Sequence, residues 1–121
     1  MNMKASEIVE TLHAEPLAIW NQHLLSKEYT AVFATDLMSD ALAMIQDSPE
    51  TTVLVTGLCN AQVLRTAEML DIDLIIFVRG KKLSGESLQI AKEMEFNIFS
   101  TECTMYETCG LRYQKGMRAI I

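Results

Sequence analysis

The sequence predicts an α/β fold: a single compact domain built on a small, mostly parallel sheet with helices on both faces. Three observations predict it. Short apolar runs at Thr52-Val53-Leu54-Val55, Leu74-Ile75-Ile76-Phe77-Val78 and Asn97-Ile98-Phe99 alternate with segments of helical period. The runs lack the alternation of a half-exposed strand, which implies sheet faces covered on both sides. Each run also leaves into polar or small residues: Thr56-Gly57-Leu58-Cys59-Asn60, Arg79-Gly80-Lys81-Lys82 and Ser100-Thr101-Glu102. In such sheets ligands sit outside the carboxyl ends of the strands, so these exits are the place to look for a site.

The elements follow in order. Ala5 to Leu12 reads as a short helix with Ile8, Val9 and Leu12 on one face and Glu7 and Glu10 in its N-terminal half. Pro16 to Trp20 reads as a first strand and Asn21 to Lys27 as a loop. Tyr29 to Ala34 is β-prone and reads as a second strand. Asp36 is placed to cap a helix that runs to Ile45 on Leu37, Met38, Ala41 and Ile45, and Asp47-Ser48-Pro49-Glu50 breaks the chain. Asn60 caps a helix carrying Val63, Leu64, Ala67 and Leu70, and Asp71-Ile72-Asp73 turns into the most apolar strand. Gly80 and Gly85 bracket a basic loop, and Ser84 or Gly85 opens a helix with Leu88, Ala91 and Met94 on one face. Thr104 and Glu107 have the spacing of a capping box, and Gly116 ends the last helix. Met117 to Ile121 is apolar and reads as a frayed end or a docking tail.

At 121 residues, half of them hydrophobic, the chain fits one domain, residues 1–121, with 114–121 as a tail. The apolar runs fall far short of the ~20 residues that a membrane helix needs. Met1 to Glu7 lacks the apolar stretch of a secretory signal, so a cytoplasmic location is expected. Three cysteines, Cys59, Cys103 and Cys109, are an odd number and argue against a disulfide framework. None pairs with His13 or His23 at ligand spacing, so neither a metal nor another cofactor is expected. The net charge of −6 and the one basic cluster, Arg79, Lys81 and Lys82, are too little for a nucleic-acid surface. Those side chains read as a solvated loop tip.

Candidate chemistry is sparse. No phosphate-gripping glycine motif occurs, and no Ser or Cys has a His at a suggestive spacing. Cys59 precedes a helix, whose amide field lowers a thiol pKa, yet no basic neighbour in sequence assists it; an inert thiol is the expectation. Asp36 and Asp40 stand at i and i+4, where a cap and a solvated charge explain them better than a metal pair. The turn from Thr56 through Gly57 to Asn60 leads into a helix N-terminus, as do Ser100 and Thr101. Plain capping explains each patch alone. Their common position on one rim raises anion binding to an equal alternative, with Thr56, Gly57, Asn60, Ser100 and Thr101 as the contact residues.

The stretch Tyr29-Thr30-Ala31-Val32-Phe33-Ala34-Thr35-Asp36-Leu37-Met38-Ser39-Asp40 resembles the signature region of DRTGG domains. Thr30, Asp36 and Ser39 match it, and Ala31 and Val32 stand where the two namesake glycines would be. Asn60 to Ala67 is similar to that family's Asn-headed helix, and Ile98-Phe99-Ser100-Thr101 looks like its final strand and exit. The resemblance runs from Ser6 to Tyr113. It implies a non-catalytic regulatory domain, related to the amino-terminal domain of HPr kinase/phosphorylase, acting as a homodimer. A small anionic ligand of the adenine nucleotide type is expected on the rim. The alternative is a ligand-free dimerisation module docking onto a redox or metabolic enzyme, such as an iron-only hydrogenase system. A side chain at 31 and 32 closes any near approach of a ligand or a twofold mate to that backbone.

Overall fold

The computed structural model describes residues 3–19, 25–45, 51–83, 85–94, 96–114 and 118–119. The elements are β1 (Met3–Lys4), α1 (Ala5–Leu12), β2 (Glu15–Ile19), β3 (Glu28–Tyr29), β4 (Ala31–Ala34), α2 (Met38–Met44), β5 (Thr52–Thr56), α3 (Ala61–Leu70), β6 (Leu74–Phe77), α4 (Gly85–Glu93), β7 (Asn97–Ser100), α5 (Met105–Gln114) and β8 (Arg118–Ala119). A six-stranded sheet has the order β2-β7-β6-β5-β4-β8, and β1 and β3 form a separate antiparallel pair. Among the described residues only β2 runs antiparallel in the main sheet, against β7.

The predicted parallel unit is present because its strands are apolar on both faces. Leu54, Ile75, Phe77 and Ile98 face a cluster built with Met38, Ala41 and Ile45 of α2, Val63, Leu64 and Ala67 of α3, and Ala91 of α4. Val53, Val55, Leu74, Ile76 and Phe99 face the other cluster, with Ala5, Ile8 and Leu12 of α1 and with Met105 and Leu111 of α5 at its margin. Thus α2, α3 and α4 cover one face, and α1 and α5 cover the other. All five residues of β5 and all four of β6 are buried, which is why their sequences show no period of two.

The caps show which local signals decided the chain's course. The Asn60 side chain accepts from the N–H groups of Gln62 and Val63 at 3.0 and 3.3 Å. Thr104 and Glu107 close the expected capping box at 3.0 and 3.2 Å. Asp71 ends α3 in the left-handed conformation, with φ of 59°.

Three expectations are corrected. Tyr29 to Ala34 is not one strand: it divides at Thr30, whose N–H turns to Thr51 O at 2.9 Å. Tyr29 pairs with Met3 of β1 and is fully buried on the α1 face, whereas Ala31 continues into the main sheet. The strand expected at Pro16 is present as β2, an antiparallel edge where a residue without N–H is tolerated, and its register shifts between Pro16 and Ala18. Asp36 does not cap α2. Leu37 holds that position without a side-chain bond, so Asp36 and Asp40 share no helix face. Finally, Arg118 and Ala119 are not frayed, because they pair in parallel with Ala31 and Val32. Trp20, Asn21 to Leu24, the break at Asp47 to Glu50, Ser84, Gly116, Met117, Ile120 and Ile121 lie outside the described residues.

Candidate functional site

The exits of β4, β5, β6 and β7 share one end of the sheet, since these strands are parallel neighbours. β6 connects to α4 on one face and β7 connects to α5 on the other. Adjacent exits that diverge in this way normally open a crevice. Here hydrogen bonds close it. Arg79 N–H donates to Cys103 O and Gly80 N–H to Thr101 O, both at 2.8 Å, and Ser100 Oγ donates to Lys81 O at 2.7 Å.

The rim therefore centres on the exits of β4, β5 and β6. The carboxylate of Asp36 reaches across from the end of β4. Its Oδ1 accepts from Gly57 N–H at 2.6 Å and from the Thr56 hydroxyl at 3.3 Å. Two nearby donors and a turn closed by Thr35, whose Oγ1 takes the Leu37 N–H at 3.0 Å, explain why Asp36 leaves its helix uncapped. Arg79, with φ of 59°, lays its guanidinium against Gly57. A Cβ at 57 would lie 2.6 Å from Arg79 Nη2 and 3.3 Å from Asp36 Oδ1, so the missing side chain makes room for both groups. Gly80, at φ of +67°, leaves similar room for the Glu102 carboxylate. Lys82 pairs with Glu15 of β2, and both are exposed.

The five residues expected to contact a ligand fall in two groups. Thr56, Gly57 and Asn60 lie together on the β5 exit. Thr56 Oγ1 also accepts from Leu58 N–H at 3.0 Å, and Asn60 Oδ1 is engaged as the cap of α3. Ser100 and Thr101 lie one exit beyond β6. Both are buried, and the Thr101 hydroxyl donates to Leu12 O at 2.7 Å while accepting from Cys103 N–H at 3.2 Å. Their hydroxyls thus hold the chain's own loops together.

The rim residues that sequence reasoning assigned elsewhere are Asp36, read as a cap, and Arg79 and Lys81, read as a loop tip. Their side chains are exposed, as expected, but the backbone of their loop is tied to the β7 exit. Of the remaining signature positions, Thr30 Oγ1 lies 3.0 Å from Thr51 Oγ1. Ala31 and Val32 sit within β4, paired to β5 on one side and β8 on the other. Ser39 is exposed on α2.

Electrostatics separate the two ends of the sheet. Lys81 lies close enough to Cys59 to favour its thiolate, but burial outweighs it and pushes the thiol up to about 11. The half-buried Cys59 is therefore a neutral thiol at physiological pH, in keeping with the inert thiol expected of it. Burial raises Cys109 as well. At the opposite end of the sheet a groove of about 370 Å³ is lined by Glu68, Asp71, Asp73 and Glu93 with Ile72, Met94 and Phe96, which is the wrong sign for an anion. Among the described residues no group of His, Cys, Asp and Glu is arranged to hold a metal, and no helix is long and apolar enough to cross a membrane.

No protein-family model matches the chain, and no curated protein matches it. Among solved structures it is similar to the CBS and DRTGG domains of the regulatory region of Clostridium perfringens pyrophosphatase, complexed with the activator diadenosine tetraphosphate. The TM-score is 0.69 at 19% sequence identity, over 89% of this chain and 45% of that one. This chain thus corresponds to less than half of the protein it matches. At that identity the likeness establishes the fold alone: an α/β domain with a mostly parallel sheet.

Proposed function

We propose that this chain is a non-catalytic regulatory domain of the DRTGG type that binds a small anionic ligand of the adenine nucleotide class at its strand-exit rim. The observation that carries the reading is the Arg79 guanidinium against Gly57, with Lys81 beside Cys59, at the head of α3. Two cations and the amides of a strand-to-helix turn make a surface for phosphoryl oxygens. The fold likeness to a regulatory region held with a dinucleoside polyphosphate supports the ligand class. Thr56, Gly57, Asn60, Arg79 and Lys81 are the contact residues, and Ser100 and Thr101 position the β6 exit. Thermal denaturation of the full chain with millimolar ATP, ADP, AMP or diadenosine tetraphosphate tests it. A ligand at a hundred times its Kd adds about 2.7 kcal/mol, a rise of several degrees in Tm. Arg79→Ala removes that rise.

One observation favours a second reading, a ligand-free dimerisation module docking onto a metabolic or redox enzyme. The side-chain hydroxyls and cap among the five expected contact residues all have partners within the chain. An unchanged Tm with every nucleotide selects this reading. Both readings include a homodimer. Leu37, Leu42 and Met69, 57, 41 and 73% exposed on or beside α2 and α3, offer apolar surface to a second copy. Light scattering at micromolar concentration is expected to give twice the mass of the chain, and a monomer removes the dimer from both readings.

A further inference from the structure

We infer that the phosphoryl-binding position of the rim is the place now held by the Asp36 carboxylate, which acts as a tethered competitor for the ligand. The inference rests on the reading of the rim as the ligand site. Its donors are Gly57 N–H and the Thr56 hydroxyl, both on the exit of β5. They hold an oxyanion here, at 2.6 and 3.3 Å, and that oxyanion belongs to the chain itself. A phosphoryl oxygen makes the same demand on the same donors. The Arg79 guanidinium converges on the same point. Its Nη2 and Asp36 Oδ1 both come within 3.3 Å of the space that a side chain at 57 would fill.

Asp36 is built to leave. It is exposed, it lies outside α2, and the turn around it is closed by Thr35 and Leu37. Rotating its side chain outward breaks the hydrogen bonds to Gly57 and Thr56 and takes the carboxylate away from the Arg79 guanidinium, and an incoming oxyanion restores both. Without ligand, Asp36 keeps the Gly57 N–H paired and lowers affinity for adventitious anions. With ligand, the displaced carboxylate is repelled from the site next to the first turn of α2. Occupancy of the rim is thereby coupled to a residue that leads directly into a helix.

The test compares the wild type with Asp36→Asn and Asp36→Ala by calorimetric titration with inorganic phosphate and with AMP. Asn keeps an acceptor for Gly57 without the charge, and Ala vacates the position. Affinity is expected to rise about ten- to a hundredfold in Asp36→Ala, the factor carried by a charged hydrogen bond, with Asn between it and the wild type. The gain is expected to vanish in Asp36→Ala/Arg79→Gln, whose net charge equals that of the wild type; a gain that survives there does not depend on the Arg79 guanidinium and overturns the site. If Asp36→Ala does not fold, Asp36→Asn alone gives the answer. Equal AMP binding by wild type and variants overturns the competitor and leaves the ligand-binding function standing. A gain in the variants without measurable wild-type binding supports the competitor and removes the nucleotide as the native ligand. Absence of binding in all proteins overturns both.

Discussion

Phe77→Ala lowers the stability of the fold by about 3–5 kcal/mol in urea denaturation, the cost of a large cavity in a packed core. Phe77 is fully buried and faces the cluster covered by α2, α3 and α4. It pairs with Thr56 of β5 on one side and Ser100 of β7 on the other, and its carbonyl takes the Thr101 N–H at 2.9 Å. The void therefore opens directly beneath the rim. Its neighbours can refill it only partly, because the strands on either side are fixed by their hydrogen bonds. Phe77→Leu keeps most of the volume and costs less than about 1.5 kcal/mol. A loss of under 1 kcal/mol for the alanine variant, small against this range, would contradict the placement of Phe77 in the core.

Much of the fold was legible because its signals are local and strong. The runs at Val53, Ile75 and Ile98 could only be covered strands, and Asn60 and the Thr104–Glu107 pair are caps whose chemistry acts within one helical turn. What the sequence concealed depends on distance in the chain. Asp36 looks like a helix cap to its neighbours; that it serves Gly57 instead depends on β4 and β5 lying side by side. Arg79 reads as a loop cation until the register of β5 and β6 brings its guanidinium over residue 57. Strands of two residues, such as β1, β3 and β8, carry no period at all, and only their partners define them. Topology thus places the strand exits at one end of the sheet, while the charges that gather there, Asp36 and Arg79, come from contacts that no local pattern encodes.

Asp73→Ala costs about 2–4 kcal/mol, the penalty for leaving a buried hydroxyl unpaired and a partly buried cation uncompensated. Asp73 stands at the start of β6, at the far end of the sheet from the rim. Its Oδ1 accepts from the Tyr29 hydroxyl at 2.5 Å and its Oδ2 from Lys27 Nζ at 2.7 Å, with Lys27 also 5.1 Å above the Tyr29 ring. The three groups fasten the β1–β3 pair to the main sheet, and Lys27 O takes the N–H of Ala5 at the head of α1. Asp73→Asn retains an acceptor for Tyr29 and costs roughly half as much, since only the charge is lost. The same cluster gives stability a dependence on pH. Burial first, and the Asp73 carboxylate second, raise the Tyr29 phenol above its ordinary value of 10.0. The folded chain then keeps a proton that the unfolded chain releases. The contribution of Tyr29 to stability is intact below pH 10 and falls as pH rises beyond it. Cys59, raised from 9.0 to about 11, adds a fall that begins near pH 9 and is common to wild type and Tyr29→Phe. The two proteins should therefore run parallel up to pH 10 in urea titrations and diverge above it, with Tyr29→Phe the flatter. Parallel curves throughout would show that Tyr29 ionises freely and is not held by Asp73.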